Sequence, residues 1–365
     1  MPPKRWGVGD LGRLRRWNWR DPRHPGNWDF GLKTVTGKRL ESKGNKMIRI
    51  HSVFKYLTDE NKAAINEACS KYGYEITYYD TIEEADGKVS DGEVMFCTNP
   101  ALLHQMKGLK WVQSASAGVD RFVQTGIFDS GEVILTNSSG AYGRAISEHI
   151  IMVTLMLLRQ ALEYRRRIDD RQWRMHLPIR SIAGSTIAIA GTGDIGQAAA
   201  AKFRALGAEK VIGFNRSGRC QAVFDEVFRM SEFGAHMDGV DVVVMCMPGT
   251  PETVKIMDAE KIAAIPENAY LVNVGRGTSV DQDALICALN ECRLAGAALD
   301  VAETEPVPVD SPLWDAKNIL LTPHCSGDYG LPYTVDTLVG FFCENLRRYA
   351  EGEELIKRVD PKAGY

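Results

Sequence analysis

Three side chains that could carry out acid–base chemistry lie just beyond three predicted strands in the C-terminal half of the chain. Arg276, Glu305 and His324 each follow an apolar run of strand length. Ligands of open α/β sheets bind beyond the carboxyl ends of parallel strands, so we expect these side chains to converge there. An arginine can hold a carboxylate, a histidine can protonate a carbonyl oxygen, and a glutamate can keep that histidine charged. Their joint placement favours a catalytic site that reduces a 2-oxo carboxylate over the alternative that the three are unrelated surface residues.

A glycine-rich turn that could bind a dinucleotide follows another predicted strand. The apolar run 186–190 leads directly into a G-x-G-x-x-G turn and an alanine-rich helical segment. In that order, the first glycine permits a tight turn, the second lets the backbone approach a pyrophosphate, and the third lets the helix pack closely on the sheet. The cofactor-binding residues predicted here are Gly191, Gly193, Asp194, Ile195 and Gly196.

The residues after the next predicted strand bear on the choice between NADP and NAD. Where an NAD enzyme carries an acid for the ribose 2′-hydroxyl, this chain has Asn215, Arg216 and Ser217, with Arg219 close behind. A guanidinium can bind a 2′-phosphate and a serine hydroxyl can assist, whereas an acid would repel that phosphate. We therefore predict NADPH as the preferred cofactor, with NAD as the alternative. The competing interpretation is that both arginines are ordinary solvated surface charges.

Alternating strand and helix patterns predict the α/β fold that would position these residues. Five short strands are expected between residues 48 and 136, and six more between 186 and 322. A long helix from Ile146 to about Arg166 is expected to link the two series. A helix over 334–350, with an apolar face, is expected to return and pack on the first series.

Composition excludes several classes of protein. Of the 365 residues, 44% are hydrophobic and 25% charged, which is typical of globular proteins and not of disordered or fibrous chains. No run approaches the ~20 apolar residues that a membrane span needs, so no membrane partner is expected. The eight cysteines are scattered, without the close Cys/His spacing of a zinc site. We therefore expect reduced thiols, a cytoplasmic location and no metal.

The first 46 residues differ from the rest of the chain. They carry 12 Lys or Arg against 4 Asp or Glu, together with four of the seven tryptophans. A nucleic-acid-binding arm, a transit peptide and an inert extension are the alternatives. Pro, Gly and Asn interrupt every helical period, and transit peptides are usually rich in serine and poor in acids. We expect residues 1–46 to be a disordered extension, with no nucleic-acid partner.

Longer segments around the candidate residues resemble the D-isomer-specific 2-hydroxyacid dehydrogenases, in particular members of the glyoxylate/hydroxypyruvate reductase type. The resemblance runs from about Met47 to the C-terminus. The segments that carry it, besides the glycine-rich turn, are SASAGVD at 114–120, MPGTPET at 247–253, NVGRGTSVD at 273–281, DVAETEP at 300–306 and TPHCSG at 322–327. Two departures from the family pattern are Asn215-Arg216 in place of an acid, and Cys325-Ser326 in place of an apolar residue and alanine.

The resemblance implies a role for each matching residue. Arg276, Glu305 and His324 fall on catalytic positions, and Asp300 falls where the nicotinamide carboxamide is held. The segment 114–120 looks like the family's substrate loop, whose backbone amides bind the carboxylate. The implied substrate-binding residues are Ser116, Ala117, Gly118, Arg276 and His324. The further implied cofactor-binding residues are Met247, Pro248, Thr253, Val274, Gly275, Asp300 and His324.

The resemblance also implies the domain organisation. A Rossmann doubly wound nucleotide-binding domain would be accompanied by a smaller flavodoxin-like α/β substrate domain. The expected bounds are 47–145 with 331–365 for the substrate domain, and 146–330 for the NAD(P)-binding domain. Homodimers through the nucleotide-binding domains are implied as well.

Several functions compete for these residues. A phosphoglycerate dehydrogenase-like enzyme is the rival within the family, and a dinucleotide-sensing regulator of the co-repressor type is the rival outside it. A formate-type dehydrogenase replaces the glutamate partner of the histidine, so Glu305 argues against that class. A phosphorylated substrate would need a second cation, but 96–100 and 114–119 contain no Lys or Arg. We therefore expect a small unphosphorylated 2-oxo acid as the substrate.

Overall fold

The computed structural model describes residues 47–173 and 176–364, so the expected extension over 1–46 lies outside the described residues. The described part of the chain forms a smaller and a larger sheet, and every strand pair in both is parallel. The smaller sheet contains β1 (Ile48–Val53), β2 (Tyr74–Tyr79), β3 (Val94–Cys97), β4 (Trp111–Ser114) and β5 (Ile134–Thr136). Its order, β2-β1-β3-β4-β5, is that of flavodoxin-like proteins.

The larger sheet has the strand order of a Rossmann domain. Its order is β12-β11-β10-β9-β6-β7-β8, so the chain moves outward in one direction from β6 and then in the other from β9. The predicted fold class is confirmed. The strands are β6 (Thr186–Ala190), β7 (Lys210–Asn215), β8 (Glu226–Arg229), β9 (Val242–Met245), β10 (Tyr270–Asn273), β11 (Gly296–Leu299) and β12 (Ile319–Leu321).

Helices cover the sheets and connect the strands. Short 3-10 helices occur at Pro100–Gln105, Met230–His236, Pro251–Thr253, Gly277–Ser279 and Pro312–Asp315. The α-helices of the described residues are α1 (Asp59–Tyr72), α2 (Ile82–Ala85), α3 (Asp120–Val123), α4 (Gly143–Leu158), α5 (Ala161–Asp169), α6 (Asp194–Ala205), α7 (Ala259–Ala264), α8 (Gln282–Asn290) and α9 (Pro332–Glu351).

The edge strand β8 was not predicted from the sequence. Its four residues place Val227 and Phe228 between charged Glu226 and Arg229. None of the four is fully buried, because an edge strand has a sheet neighbour on one side only. Two apolar residues between charges are too short a pattern to indicate a strand, and only pairing with β7 stabilises it.

The prediction of one long helix from Ile146 to Arg166 is wrong. The helix ends after Leu158, and α5 begins at Ala161 with its axis turned by 61°. Gln160 lies between them in the left-handed region, at φ 55°, which ends the regular hydrogen-bond ladder. Among the described helices, none is long and apolar enough alone to cross a membrane; α4 and α5 meet that length and composition test only as a bent pair.

The C-terminal helix α9 returns to the smaller sheet, as predicted. Phe342 stacks on Phe96 with ring centres 4.6 Å apart and lies 5.5 Å from the ring of Trp111. All three side chains are fully buried. Asn345 donates a hydrogen bond of 3.0 Å to the Gln113 side chain on β4. The last described helix therefore belongs to the core of the smaller sheet.

Candidate active site

The glycine-rich turn lies where the strand order of the larger sheet reverses. Gly191 has a φ of 107°, and a Cβ there would lie 2.9 Å from the carbonyl oxygen of Cys246 after β9. A Cβ at Gly196 would overlap the Gly191 carbonyl oxygen, so α6 can pack this closely only with glycine. At Gly193 a Cβ would meet nothing within 4 Å. Gly193 is the N-cap of α6, so the open space lies at a helix N-terminus, which suits a pyrophosphate.

The side chains of the other two predicted residues of the turn have contacts within the protein. The Asp194 carboxylate lies against Gly143 at the start of α4. Ile195 packs on the core behind the turn. Their side chains therefore support the turn, and the backbone amides at the start of α6 are the groups available to an anion.

Asn215 organises the loop after β7. Its Oδ1 accepts hydrogen bonds from the amides of Ser217 (3.0 Å) and Gly218 (2.6 Å), and its Nδ2 donates to Thr192 Oγ1 (2.9 Å). The last bond ties this loop to the glycine-rich turn. Asn215 therefore holds in place the loop that carries Arg216 and Ser217.

Two further charges border this loop. The side chain of Arg229 on β8 passes Gly218, where a Cβ would lie 3.2 Å from Arg229 Cγ. Backbone and Thr250 hydrogen bonds lower the pKa of Glu252, and the charge of Arg216 lowers it further. Arg229 was not predicted as a neighbour of this loop, because β8 was not predicted.

Five of the remaining predicted cofactor residues follow β9 or β10: Met247, Pro248, Thr253, Val274 and Gly275. A Cβ at Gly275 would lie 2.7 Å from the Met247 carbonyl oxygen, so the two segments touch through their backbones. The Val274 amide donates to the Met245 carbonyl at 3.0 Å. Thr253 Oγ1 donates to the Pro248 carbonyl at 2.8 Å and closes that turn.

His324 and Glu305 form a hydrogen-bonded pair. His324 Nδ1 lies 2.7 Å from Glu305 Oε2, and Glu305 Oε1 accepts a 3.0 Å bond from the Ala302 amide. The bond to Glu305 raises the pKa of His324, although burial opposes this. Burial disfavours ionisation of Glu305, but its bonds to His324 and Ala302 outweigh burial and lower its pKa. The pair therefore favours imidazolium beside carboxylate.

Asp300 anchors the segment that carries His324. The carboxylate is buried and accepts bonds from Thr322 Oγ1 (2.6 Å) and from the amides of Cys325 and Ser326 (2.9 Å each). Burial disfavours ionisation of Asp300, but these hydrogen bonds prevail and lower its pKa. The Asp300 carbonyl also accepts from the His324 amide at 2.8 Å. Its role toward a nicotinamide carboxamide stays a prediction.

A histidine not singled out from the sequence lies beside Asp300. His149 Nε2 is 3.9 Å from Asp300 Oδ1 and 3.3 Å from Thr322 Oγ1. The ligand-type atoms of His149, Asp300 and Cys325 lie within 4.8 Å of one another. Both Asp300 oxygens already accept hydrogen bonds, so we interpret this group as a hydrogen-bonded cluster. Burial lowers the pKa of His149 and favours its neutral form.

Arg276 brings the substrate loop to the larger sheet. A Cβ at Gly118 would overlap the Arg276 Nη2 atom, so the guanidinium lies directly on the loop backbone. Arg276 Nη2 and Nε both donate to Asp120 Oδ1, at 2.9 and 3.2 Å. Its charge acts on both His324 and Glu305. The three predicted catalytic side chains and the loop therefore form one site.

The backbone amides that the substrate loop offers to a carboxylate differ from those expected. The Ser116 amide donates to Ser114 Oγ at 3.1 Å. In the described part of the chain the amides of Ala117 and Gly118 have no such acceptor. Ser116 Oγ instead pairs with the hydroxyl of Tyr329 at 3.2 Å. Tyr329 was not predicted, because no pattern in the sequence links it to a loop more than 200 residues earlier.

Comparisons with known proteins identify the family of this chain. Residues 151–326 match the family model described as D-isomer specific 2-hydroxyacid dehydrogenase, NAD binding domain. Glyoxylate/hydroxypyruvate reductase A of Klebsiella pneumoniae is 28% identical over 279 residues, covering 73% of this chain and 85% of that protein.

Two solved structures are similar over nearly all of the described chain. A NADPH-dependent glyoxylate/hydroxypyruvate reductase from Sinorhizobium meliloti, in complex with NADP and sulfate, is 29% identical with a TM-score of 0.74, covering 87% of this chain and 100% of that one. A D-isomer specific 2-hydroxyacid dehydrogenase family protein from Aeromonas salmonicida is 31% identical with a TM-score of 0.75, with the same coverage of both chains. The chain belongs to the D-isomer-specific 2-hydroxyacid dehydrogenases, a family of NAD(P)-dependent oxidoreductases.

Proposed function

We propose that the protein reduces a small 2-oxo acid of the glyoxylate or hydroxypyruvate type to the D-2-hydroxy acid with NADPH. The observation that carries this proposal is the His324–Glu305 pair next to Arg276, a proton donor beside a carboxylate-binding cation. The Sinorhizobium meliloti relative, which binds NADP, supports both the substrate class and the cofactor.

We propose a task for each side chain in the reaction, based on its contacts. His324 Nδ1 is bonded to Glu305, so Nε2 is the nitrogen that protonates the carbonyl oxygen. Arg276 holds the substrate carboxylate, together with the free amides of Ala117 and Gly118. Asp300 keeps the backbone of His324 in place. NADPH, when bound along the glycine-rich turn, supplies the hydride.

We also propose the domain bounds 47–145 with 331–365 for the substrate domain and 146–330 for the NAD(P)-binding domain. The contents of the two sheets support this division, since β1–β5 and β6–β12 fall on either side of residue 146. The ligands are small molecules, with neither nucleic acid nor membrane as partner. All eight cysteines are free, which supports a reducing, cytoplasmic location.

The proposed function is tested by steady-state kinetics on a panel of 2-oxo acids with both cofactors. We expect NADPH-dependent turnover of glyoxylate or hydroxypyruvate, and His324→Gln should lower kcat roughly 10²- to 10⁴-fold, the scale for one acid–base group. NADPH affinity should stay within about twofold, since His324 acts on the substrate oxygen. A kcat/KM for phosphohydroxypyruvate well above that for hydroxypyruvate would favour the phosphoglycerate-type rival, and no turnover at all would favour the regulator.

The Glu305 carboxylate should determine the pH range of the reduction. Reduction requires protonated His324, so the rate falls as pH rises through the His324 pKa, which Glu305 raises. In Glu305→Gln that pKa falls, and the high-pH limb of the kcat/KM profile should move to lower pH. Glu303→Gln, an exposed acid two residues away, is the control and should leave the profile unchanged. An unmoved limb in Glu305→Gln would show that the residue is only structural.

The cofactor preference should depend on Arg216. Arg216→Ala should weaken NADPH binding about tenfold and leave NADH binding nearly unchanged, because it removes a charge-assisted bond to the 2′-phosphate. Such a bond contributes ~1.5–3 kcal/mol and is partly screened at an exposed site. The measurement is kcat/KM for each cofactor. Arg293→Ala, an exposed arginine paired with Glu291, is the matched control. Equal use of both cofactors by the unaltered protein would refute the preference.

We propose a homodimer formed through the NAD(P)-binding domains. Exposed apolar side chains on α4, on α5 and just after α5 support this: Met152 is 46% exposed, Ile168 48% and Trp173 86%. Sedimentation should give twice the monomer mass, and Ile168→Asp should lower the dimer fraction. Val309→Asp, at a side chain 97% exposed elsewhere, should have no effect. A monomeric unaltered protein would contradict the proposal.

A further inference from the structure

The Arg276 guanidinium lies in a slot built by segments of both sheets. On one side is the backbone of Gly118 in the substrate loop, where any Cβ would overlap Nη2. Gly249 lies against the aliphatic stem of the same side chain, where a Cβ would be 3.0 Å from Arg276 Cγ. The slot is closed by Asp120, the first residue of α3. Two glycines and one acid therefore determine where this cation points.

The hydrogen bonds of Arg276 use three N–H groups of the guanidinium. Asp120 Oδ1 accepts from Nε and Nη2, and the Gly275 carbonyl accepts from Nη1 at 2.9 Å. A guanidinium has five N–H groups, so one on Nη1 and one on Nη2 remain. These two groups form the end of the fork, which suits a second carboxylate in bidentate geometry.

We propose that Asp120 is a positioning residue, which orients Arg276 so that the free end of its guanidinium faces the substrate carboxylate. This rests on the proposed function of Arg276 as the carboxylate-binding group. Asp120 holds the Nε edge and the substrate takes the opposite end, so the two carboxylates do not compete for the same N–H groups. Orienting a long, flexible side chain before substrate arrives lowers the entropic cost of binding.

The alternative is that Asp120 competes with the substrate carboxylate for Arg276. If Asp120 instead occupied the place of the substrate carboxylate, removing it would free Arg276 and tighten substrate binding. The ion pair is about one-third exposed, with side-chain exposures of 27% for Arg276 and 34% for Asp120. Because solvent reaches the pair, Asp120 neutralises little of the Arg276 charge, and its main effect is on the orientation of the guanidinium.

The test is the affinity of oxamate, an unreactive isostere of a 2-oxo acid, for the full-length protein with NADPH bound. Asp120→Ala should raise the oxamate Kd about tenfold, the low end for a charge-assisted pair at a partly exposed site. KM for the 2-oxo acid should rise similarly, with a smaller change in kcat. Asp120→Asn, which keeps an oxygen acceptor without the charge, should lose less oxamate affinity. It also tests the proposal should the alanine variant misfold.

Controls separate positioning from a general structural role. Asp129→Ala removes an exposed acid nine residues away and should change the affinity for neither oxamate nor NADPH. NADPH Kd and Tm should stay near their original values in the Asp120 variants. An unchanged or tighter oxamate Kd, or an equal loss of NADPH affinity, overturns the inference. If the unaltered protein binds oxamate but reduces no 2-oxo acid, the proposed function fails while the inference about Asp120 stands. If it reduces a 2-oxo acid but the Asp120 variants bind oxamate as the unaltered protein does, the inference fails while the proposed function stands.

Discussion

Parallel pairing of β6 with β9 determines where the whole site lies. The chain leaves these neighbouring strands in opposite directions, so their carboxyl ends border a crevice that no crossover helix covers. Gly191 and Met247 enter that crevice from the two sides, and their backbones are so close that a Cβ at Gly191 would lie 3.1 Å from the Met247 amide. Every other part of the site is placed relative to this contact: the turn that suits a pyrophosphate, and the strand ends that carry Arg276 and His324.

Polar side chains with saturated hydrogen bonds hold the functional ones in place. Asp300 is fully buried as a side chain, yet its two oxygens satisfy a hydroxyl and two amides of the segment around His324. Asn215 does the same for the loop after β7. Replacing Asp300 by an apolar residue would leave the buried Ser326 amide unpaired, at a cost of about 1–3 kcal/mol. The reactive groups, by contrast, keep free N–H groups for a ligand.

The sequence could predict the positions of the candidate residues where these depend on local pattern. His324, Glu305 and Arg276 each follow a strongly apolar strand, and the glycine-rich turn lies between a strand and a helix, so periodicity located all of them. It could not predict contacts between distant segments: Asp120 and Arg276 are 156 residues apart. The break at Gln160 has no proline or glycine to announce it, and β8 depends on its neighbour for stability. In each of these cases tertiary packing prevails over local preference.

The return of α9 to the smaller sheet has a consequence for synthesis of the chain on the ribosome. The first five strands emerge early, but the aromatic side chain that covers Phe96 and Trp111 is Phe342, close to the end of the chain. The nascent smaller sheet therefore keeps an apolar face uncovered while some 200 further residues, including the entire larger sheet, are translated. The later-made sheet can complete its core first, which reverses the usual N-to-C order of domain folding and leaves the apolar face of the early sheet exposed for longest.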